Sequence, residues 1–490
     1  MIQDSEVQAI LQRVRARVGD GQPTSAPSSP APASSSPAPS SAPAVAAGAG
    51  DGIFATIDQA VNAAWDAHQQ YLEMGLDRRF EVIDRIREAM RENAERLGRM
   101  AFEETGLGRP EDKRLKNLLV TNKTPGPEDL EPQTWSGDRG ITMTEWAPFG
   151  VVAAITPTTN PTATIINNTI AVLSAGNGLV FNVHPNAKGV SVETVRILNR
   201  CVAAAGGPPN LVTCIPEPTL ETAQELMVHP KARLLLVTGG PGVVKAAMAT
   251  QKRAITAGPG NPPVVVDETA DLNLAGREIV RGASFDNNVI CTDEKEVIAV
   301  ASIADRLIES MVAHGAVLVD ESKLPALEKT IFKQMGEPNK PGKINPKWIG
   351  RNAGLILQEI GIPAAADTRL AVVPVPTHHS LVWTEQMMPV MPVCRVANVD
   401  LAIDLAVRAE HRFGHTASIY TRNVDTITKM ARAINVSIFT ANGPNLAGLG
   451  QGGEGYTSFS IASPTGEGLT RPRSFSRERR LVVAGGLRFV

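Results

Sequence analysis

The sequence predicts an α/β protein with a doubly wound parallel sheet, and three observations carry that expectation. Short apolar runs of strand character alternate with helical stretches of roughly 10–15 residues, the pattern of a parallel sheet covered on both faces. The chain has 490 residues, too many for one ordinary core, so two or three lobes are expected. Hydrophobic residues make up 43% and charged residues 20%, the balance of a globular chain rather than a disordered one.

Composition also removes several classes of function. The formal net charge is −2 and no basic block stands out, so nucleic acid is not an expected partner. No apolar run approaches the roughly 18 residues that span a bilayer, so no membrane is expected either. The four cysteines, Cys201, Cys214, Cys291 and Cys394, lie far apart, without the spacing of a disulfide framework or a zinc site. The first twenty residues lack a secretion signal, and Asp4 and Glu6 argue against a transit peptide. A reducing, cytoplasmic setting is the expectation.

The elements follow in order. Val7, Ile10, Val14 and Val18 recur at helical spacing over residues 1–18. Residues 19–52 are dominated by Pro, Ser and Ala and read as a flexible linker. A short amphipathic helix on such a leash is a docking device that orders against a partner. Packing on the chain's own body and binding to a membrane surface are the other readings. The folded body begins near Ile53, with helical patterns over Thr56–Glu73 and Leu76–Glu104 and a break at Gly106-Leu107-Gly108. A strand pair is expected around Trp135 and Trp146. Strands are then expected at Gly150–Ile155, Gly178–Val183, Leu211–Ile215 and Leu234–Thr238, with helices at Thr162–Ala175 and Gly189–Ala205. A second alternating region follows Pro262, with strands at Pro263–Asp267 and Val297–Val300 and a helix at Ala304–His314. An apolar stretch, Leu481–Ala484, closes the chain.

Four segments carry polar chemistry at the ends of these elements. Ala147–Pro161 ends a strand with the turn Thr156-Pro157-Thr158-Thr159-Asn160 and then starts a helix. Ligands of such sheets collect at the carboxyl ends of strands, and the Asn160 carboxamide offers a hydrogen bond to a developing oxyanion. Asn is equally a helix cap. Thr238-Gly239-Gly240-Pro241-Gly242 lies between a strand and a helix, where glycines admit a phosphate, although an ordinary turn explains them as well. Ala257-Gly258-Pro259-Gly260-Asn261-Pro262 leads into the second region. Cys291, in Phe285-Asp-Asn-Asn-Val-Ile-Cys291, sits in a polar setting, whereas the other three cysteines fall in apolar elements and read as inert. A thiol attacks carbonyls and makes a thioester that a second thiol displaces, yet a lone cysteine is more often structural. His378-His379 suggests a metal, but neighbours on a strand point to opposite faces, so no metal is expected.

Taken together, TPTTNP, TGGPG, AGPGNP and SFDNNVIC, in this order and spacing, resemble the aldehyde dehydrogenase superfamily, and Thr384-Glu385-Gln-Met-Met-Pro389 is similar to its glutamate motif. HPNAKG around His184 and AGPGNPPVVVD resemble the coenzyme-A-acylating acetaldehyde and propionaldehyde dehydrogenases of bacterial microcompartments. The resemblance implies a cofactor domain over 53–262 carrying an oligomerisation hairpin at 131–147, a catalytic domain over 263–456, and a return segment with an oligomerisation strand over 457–490. It implies Cys291 as nucleophile and Asn160 with the Cys291 N–H as oxyanion hole. Thr156, Pro157, His184, Thr238, Gly239, Gly240, Ala257 and Glu385 would line the cofactor, with Glu385 on the nicotinamide ribose. The expected cofactor is NAD, with room for NADP because Ala187 leaves no carboxylate to repel a 2′-phosphate. Coenzyme A is the expected co-substrate. The expected partners are a small aldehyde, a microcompartment shell protein bound through residues 1–18, and further copies in a homo-oligomer, dimer or tetramer, in the compartment lumen.

One departure decides the product. Hydrolytic members carry a Glu general base where this chain reads Ala257-Gly258-Pro259-Gly260, and no carboxylate occurs between Gln251 and Pro263. General-base help is worth roughly two to four orders of magnitude. A thiol needs it less than water does, because a few per cent is already thiolate at pH 7. Acyl transfer to coenzyme A is therefore expected. The rivals are a hydrolytic aldehyde dehydrogenase, a phosphorylating reductase, and a non-catalytic scaffold.

Overall fold

A strand that is apolar at every position has to be covered on both faces, and the chain meets that requirement in two separate sheets. The computed structural model describes residues 51–488. The helix expected over 1–18 and residues 19–50 of the expected linker lie outside the described residues.

Three helices come first. Thr56 accepts the Gln59 N–H at 3.3 Å and starts Ile57–Leu72, and Gly106, at φ 64°, ends Leu76–Thr105 in the left-handed region. The third helix, Pro110–Lys123, is absent from the sequence expectations. Its start is orthodox, with Pro110 in the first turn beside Glu111 and Asp112. Its buried side is unusual, because Asp112, Lys113, Lys116 and Asn117 all face inward.

Gln133–Gly137 (β1) and Gly140–Pro148 (β2) then pair antiparallel around Trp135 and Trp146. The first parallel sheet consists of Val151–Ile155 (β3), Gly178–Asn182 (β4), Val212–Cys214 (β5), Ala232–Thr238 (β6) and Ala254–Ala257 (β7), in the order β5-β4-β3-β6-β7. The chain winds outward from β3 to β5 and returns on the other side of β3. The order therefore reverses between β3 and β6, the switch point at which sheets of this kind take their ligands. Every residue of β3 and β4 is buried.

The second sheet has seven parallel strands. In chain order they are Pro263–Val266 (β8), Glu296–Val300 (β9) and Ala316–Leu318 (β10), then, after a small antiparallel pair of Phe332–Gln334 (β11) and Lys343–Ile344 (β12), Leu370–Pro374 (β13), Val390–Val396 (β14), Thr416–Tyr420 (β15) and Ile438–Ala441 (β16). The spatial order is β10-β13-β14-β9-β8-β15-β16. Separate apolar cores fill its two faces, one around Val265, Ile298 and Trp383 and the other around Val264, Val297 and Leu307.

The remaining chain returns to the first domain. Ile461–Ala462 (β17) and Gly468–Leu469 (β18) pair antiparallel, and Phe459, Ile461 and Phe475 enter the first domain's core. Ser476–Ala484 (β19) then runs along β2 from Ser476↔Pro148 to Ala484↔Gly140 and completes a three-stranded sheet. One local expectation is corrected: His378 and His379 are not on a strand. His379 caps the turn Ser380–Trp383, and its Nε2 meets Glu328 at 2.8 Å.

Candidate active site

The nucleophile candidate is delivered by an unusual loop. After the helix Leu272–Ala283, Asp286, Asn287 and Asn288 take φ values of 44°, 53° and 63° in succession. Left-handed backbone costs roughly 1–2 kcal/mol per residue, least for Asp and Asn, whose short polar side chains bond locally. Here each side chain is tied down. The Asp286 carboxylate accepts the Arg109 N–H at 2.7 Å, the Lys113 ammonium at 3.1 Å and the Lys116 ammonium. Asn287 donates to Gly108 O, Gly350 O and Asn352 Oδ1 at 2.8–3.1 Å and accepts from Arg109 Nε at 2.8 Å. Asn288 donates to the Ala283 and Glu294 carbonyls, and the buried Lys295 ammonium bonds Asn288 Oδ1, Asn288 O and Ile290 O at 2.6, 2.9 and 3.0 Å. The chain thus enters Cys291 from a fixed direction.

Cys201, Cys214 and Cys394 are buried, and Cys291 is the partly exposed thiol of the four. Burial pushes the Cys291 thiol up to about 12, the neighbouring Glu385 charge pushes it in the same direction, and Lys295 opposes them. The resting group is therefore a neutral thiol.

Asn160 occupies the cap position of the helix Pro161–Ser174, but its side chain does not cap. Its Oδ1 instead accepts the Lys116 ammonium at 2.6 Å, and its Nδ2 lies 3.2 Å from Thr159 Oγ1. Lys116 thereby joins Asn160 to Asp286, five residues before Cys291.

The cofactor candidates gather at the β3/β6 edge. Thr156 and Pro157 follow β3, Thr238 ends β6, and Ala257 ends β7 with its carbonyl accepting the Gly239 N–H at 3.3 Å. A dinucleotide fits this edge on two observations. A Cβ added at Gly239 or Gly240 would meet nothing within 4 Å, and neither glycine has a positive φ, so neither packing nor backbone strain requires glycine there. The buried Thr156 Oγ1 has no hydrogen-bond partner among the described residues. Thr238 Oγ1 is held 2.9 Å from Ser460 Oγ of the return segment. His184 stands at the end of β4, its Nδ1 accepting the Asn186 N–H at 3.1 Å, and burial lowers its pKa. Ala187 is fully buried in the first core, whereas Asn186 is exposed and His184 and Lys188 are partly exposed at that turn.

The loop from Ala257 runs directly to the thiol. A Cβ on Gly260 would come within 2.5 Å of the Cys291 carbonyl oxygen and 3.2 Å of His415 Cγ. Glu385 accepts the Gly260 N–H, and burial raises its pKa to about 6, so it is mostly ionised at neutral pH. Glu385 thereby bonds the loop that packs against Cys291, and its charge acts on the thiol, a relation the sequence expectations did not include. His415 was also missed: it is buried, with Nδ1 2.8 Å from Thr416 Oγ1, Nε2 without a partner among the described residues, and a pKa that burial lowers to about 4. Lys113, Lys116, Asp286 and Lys295 complete the unanticipated set. Among the described residues, no cluster of His, Cys, Asp or Glu could hold a metal ion.

A dinucleotide-type sheet whose strand ends face a partly exposed cysteine on a second α/β domain defines a class of cysteine-bearing oxidoreductases. The chain belongs to the aldehyde dehydrogenase family, whose model matches residues 35–327 and 370–463. It is an aldehyde oxidoreductase similar to the coenzyme-A-acylating members. The acetylating acetaldehyde dehydrogenase EutE of Salmonella typhimurium is 49% identical over 90% of this chain and 94% of its own. The crystal structure of Rhodopseudomonas palustris propionaldehyde dehydrogenase with bound CoA and an acylated cysteine is 47% identical, with a TM-score of 0.86 over 89% of this chain and 98% of that one. A propionaldehyde dehydrogenase from the Clostridium phytofermentans fucose utilisation bacterial microcompartment is 42% identical, with a TM-score of 0.86 over 89% of this chain and 99% of that one.

Proposed function

We propose that the chain oxidises a short aldehyde, acetaldehyde or propionaldehyde, on Cys291 and passes the acyl group to coenzyme A, with NAD as the preferred hydride acceptor. The observation that carries this reading is the approach of Gly260 to Cys291 on a loop that has no carboxylate from Gln251 to Pro263. The acylated cysteine in the Rhodopseudomonas relative supports it.

In the first half-reaction the Cys291 sulfur, after losing its proton, bonds to the aldehyde carbon. The carbonyl electrons move to oxygen, and that alkoxide is held by Asn160 Nδ2 and the Cys291 N–H. A nicotinamide cofactor at the β3/β6 edge supplies the acceptor for the departing hydride. Cys291 is left as a thioester, and the coenzyme A sulfur then adds to the same carbon in the same oxyanion hole. Collapse breaks the Cys291 C–S bond and releases acyl-CoA. Glu385 accepts a proton beside Cys291 in either half. Thr156, Pro157, His184, Thr238, Gly239, Gly240, Ala257 and Glu385 line the cofactor in this reading, with Glu385 on the nicotinamide ribose.

Intact-mass analysis tests it. With aldehyde and NAD but no coenzyme A, Cys291 should gain the mass of one acyl group and lose it when coenzyme A is added. An acyl adduct that persists with coenzyme A, or none at all before coenzyme A is added, contradicts the scheme. Glu385 favours a second reading, hydrolysis to free acid, because it places an ionisable carboxylate beside the thiol.

We further propose that residues 1–18 dock the enzyme to a microcompartment shell and that 19–52 are the tether. The helical spacing of Val7, Ile10, Val14 and Val18 and the microcompartment origin of the Clostridium relative support this. Deleting residues 1–49 should leave activity intact and abolish encapsulation; a truncated enzyme still found inside shells would contradict it. The homo-oligomer reading rests on β19, where Leu481 and Val482 are exposed.

A further inference from the structure

We infer that Lys116 is a positioning residue of the oxyanion hole, fixing which end of the Asn160 carboxamide faces the reacting oxygen. The inference rests on the reading of Asn160 as an oxyanion donor. A carboxamide is nearly symmetric in shape, with an acceptor at one end and two donors at the other. An oxyanion hole works only if the donor end faces the substrate. An ammonium has three donors and no acceptor, so it can stabilise only the oxygen end. Lys116 Nζ holds Asn160 Oδ1 at 2.6 Å, both residues being buried, and a flipped amide would set N–H groups against the ammonium. The arrangement therefore keeps Nδ2 for the substrate side.

Lys116 is itself kept in place by the Asp286 carboxylate. That carboxylate also takes Lys113 at 3.1 Å, so one negative charge meets two ammonium groups. The Lys116 ammonium sits behind the Asn160 carbonyl oxygen. In a buried site it polarises the amide and strengthens its N–H groups as donors to an alkoxide. Because Asp286 belongs to the left-handed run that delivers Cys291, one ion pair fixes both the nucleophile's loop and the oxyanion donor.

Lys113 supplies the matched comparison. It lies on the same helix, is equally buried and meets the same carboxylate, but its other contact is Thr159 O at 3.4 Å rather than Asn160. Steady-state rates of Lys116→Met, Lys113→Met, Asn160→Ala and the double variant Lys116→Met/Asn160→Ala, measured with aldehyde, NAD and coenzyme A, test the inference. Lys116→Met is expected to lower kcat by about 10²–10³-fold, the effect of losing one oxyanion donor, with KM for NAD changed less than about threefold. Lys113→Met should cost at least tenfold less, and Lys116→Met should cost little more once Asn160 is Ala. Equal losses in the two lysine variants, or multiplicative losses in the double variant, overturn the positioning role. If Asn160→Ala itself leaves kcat unchanged, the oxyanion reading fails and takes the inference with it; a large loss there beside a small loss in Lys116→Met overturns the inference alone. Should a Met variant not fold, the Lys116→Gln and Lys113→Gln pair is read by the same criteria.

Discussion

Replacing Gly260 by Ala tests how closely the loop from the cofactor domain sets the thiol. The added Cβ would stand 2.5 Å from the Cys291 carbonyl oxygen, against an ordinary contact of roughly 3.5 Å. The obstruction is backbone, not the tip of a flexible side chain, and the nearby His415 ring, 3.2 Å away, closes the other direction. Gly260 does not have a positive φ, so the substitution introduces no torsional strain and its effect is one of displacement. Relief requires a relative movement of about 1 Å, and a misplacement of that size at a reacting group costs about 10²-fold in rate. Pre-steady-state NADH formation with saturating NAD and aldehyde should therefore slow about 10²-fold, while cofactor binding measured by fluorescence stays within a few fold of the parent. A Gly260→Ala enzyme with a normal burst rate would refute the argument that this contact positions Cys291.

Three further outcomes follow from the same geometry. Gly239→Ala enters open space, so thermal stability should stay within about 1 kcal/mol while KM for NAD rises several-fold; an unchanged KM would mean the space is not cofactor space. Glu385→Gln removes the negative charge that raises the Cys291 thiol, so alkylation by iodoacetamide at pH 8 should accelerate, and a slower reaction would contradict the electrostatic assignment. Glu294 is raised by burial from 4.5 to about 7, so the folded state holds a proton that the unfolded chain has released, and this group's contribution to stability falls as pH rises from 4.5 to 7. Denaturant midpoints of Glu294→Gln across that window should decline less than the parent's, with a difference of order 1–3 kcal/mol at pH 7; parallel curves would show that Glu294 is not buried as described.

The parallel sheets were legible because β3, β4 and β6 are apolar runs bounded by glycine and polar turns. Cys291 was legible as well, since its neighbours Asp286, Asn287 and Asn288 are polar while the other three cysteines sit among apolar residues. The helix Pro110–Lys123 was not. Hydrophobic periodicity assigns charged residues to solvent, and this helix turns Asp112, Lys113 and Lys116 inward because their partners, Asp286 and Asn160, arrive from other elements. Its Pro110-Glu111-Asp112 start was a usable signal, but the ion pairs are long-range, 170 residues apart for Lys116 and Asp286. Asn160 shows the same limit: at its position in the chain it reads equally as a cap, and Lys116 alone separates the two roles. The vacancy at Ala257 also means less than the sequence implied. The loop has no carboxylate, yet the Glu385 charge acts on Cys291 from the turn before β14, so the case for a thiol acceptor concerns the loop rather than the whole site.

The partition of product between thiol and water therefore decides which nucleophile takes the acyl group from Cys291. Enzyme, aldehyde and NAD are mixed with and without coenzyme A, and NADH, acyl-CoA and free acid are quantified together. Without coenzyme A, one NADH per site followed by slow turnover is expected; in its presence, sustained turnover with one acyl-CoA per NADH. Sustained NADH formation with free acid as product in the absence of coenzyme A would contradict acyl transfer to the thiol.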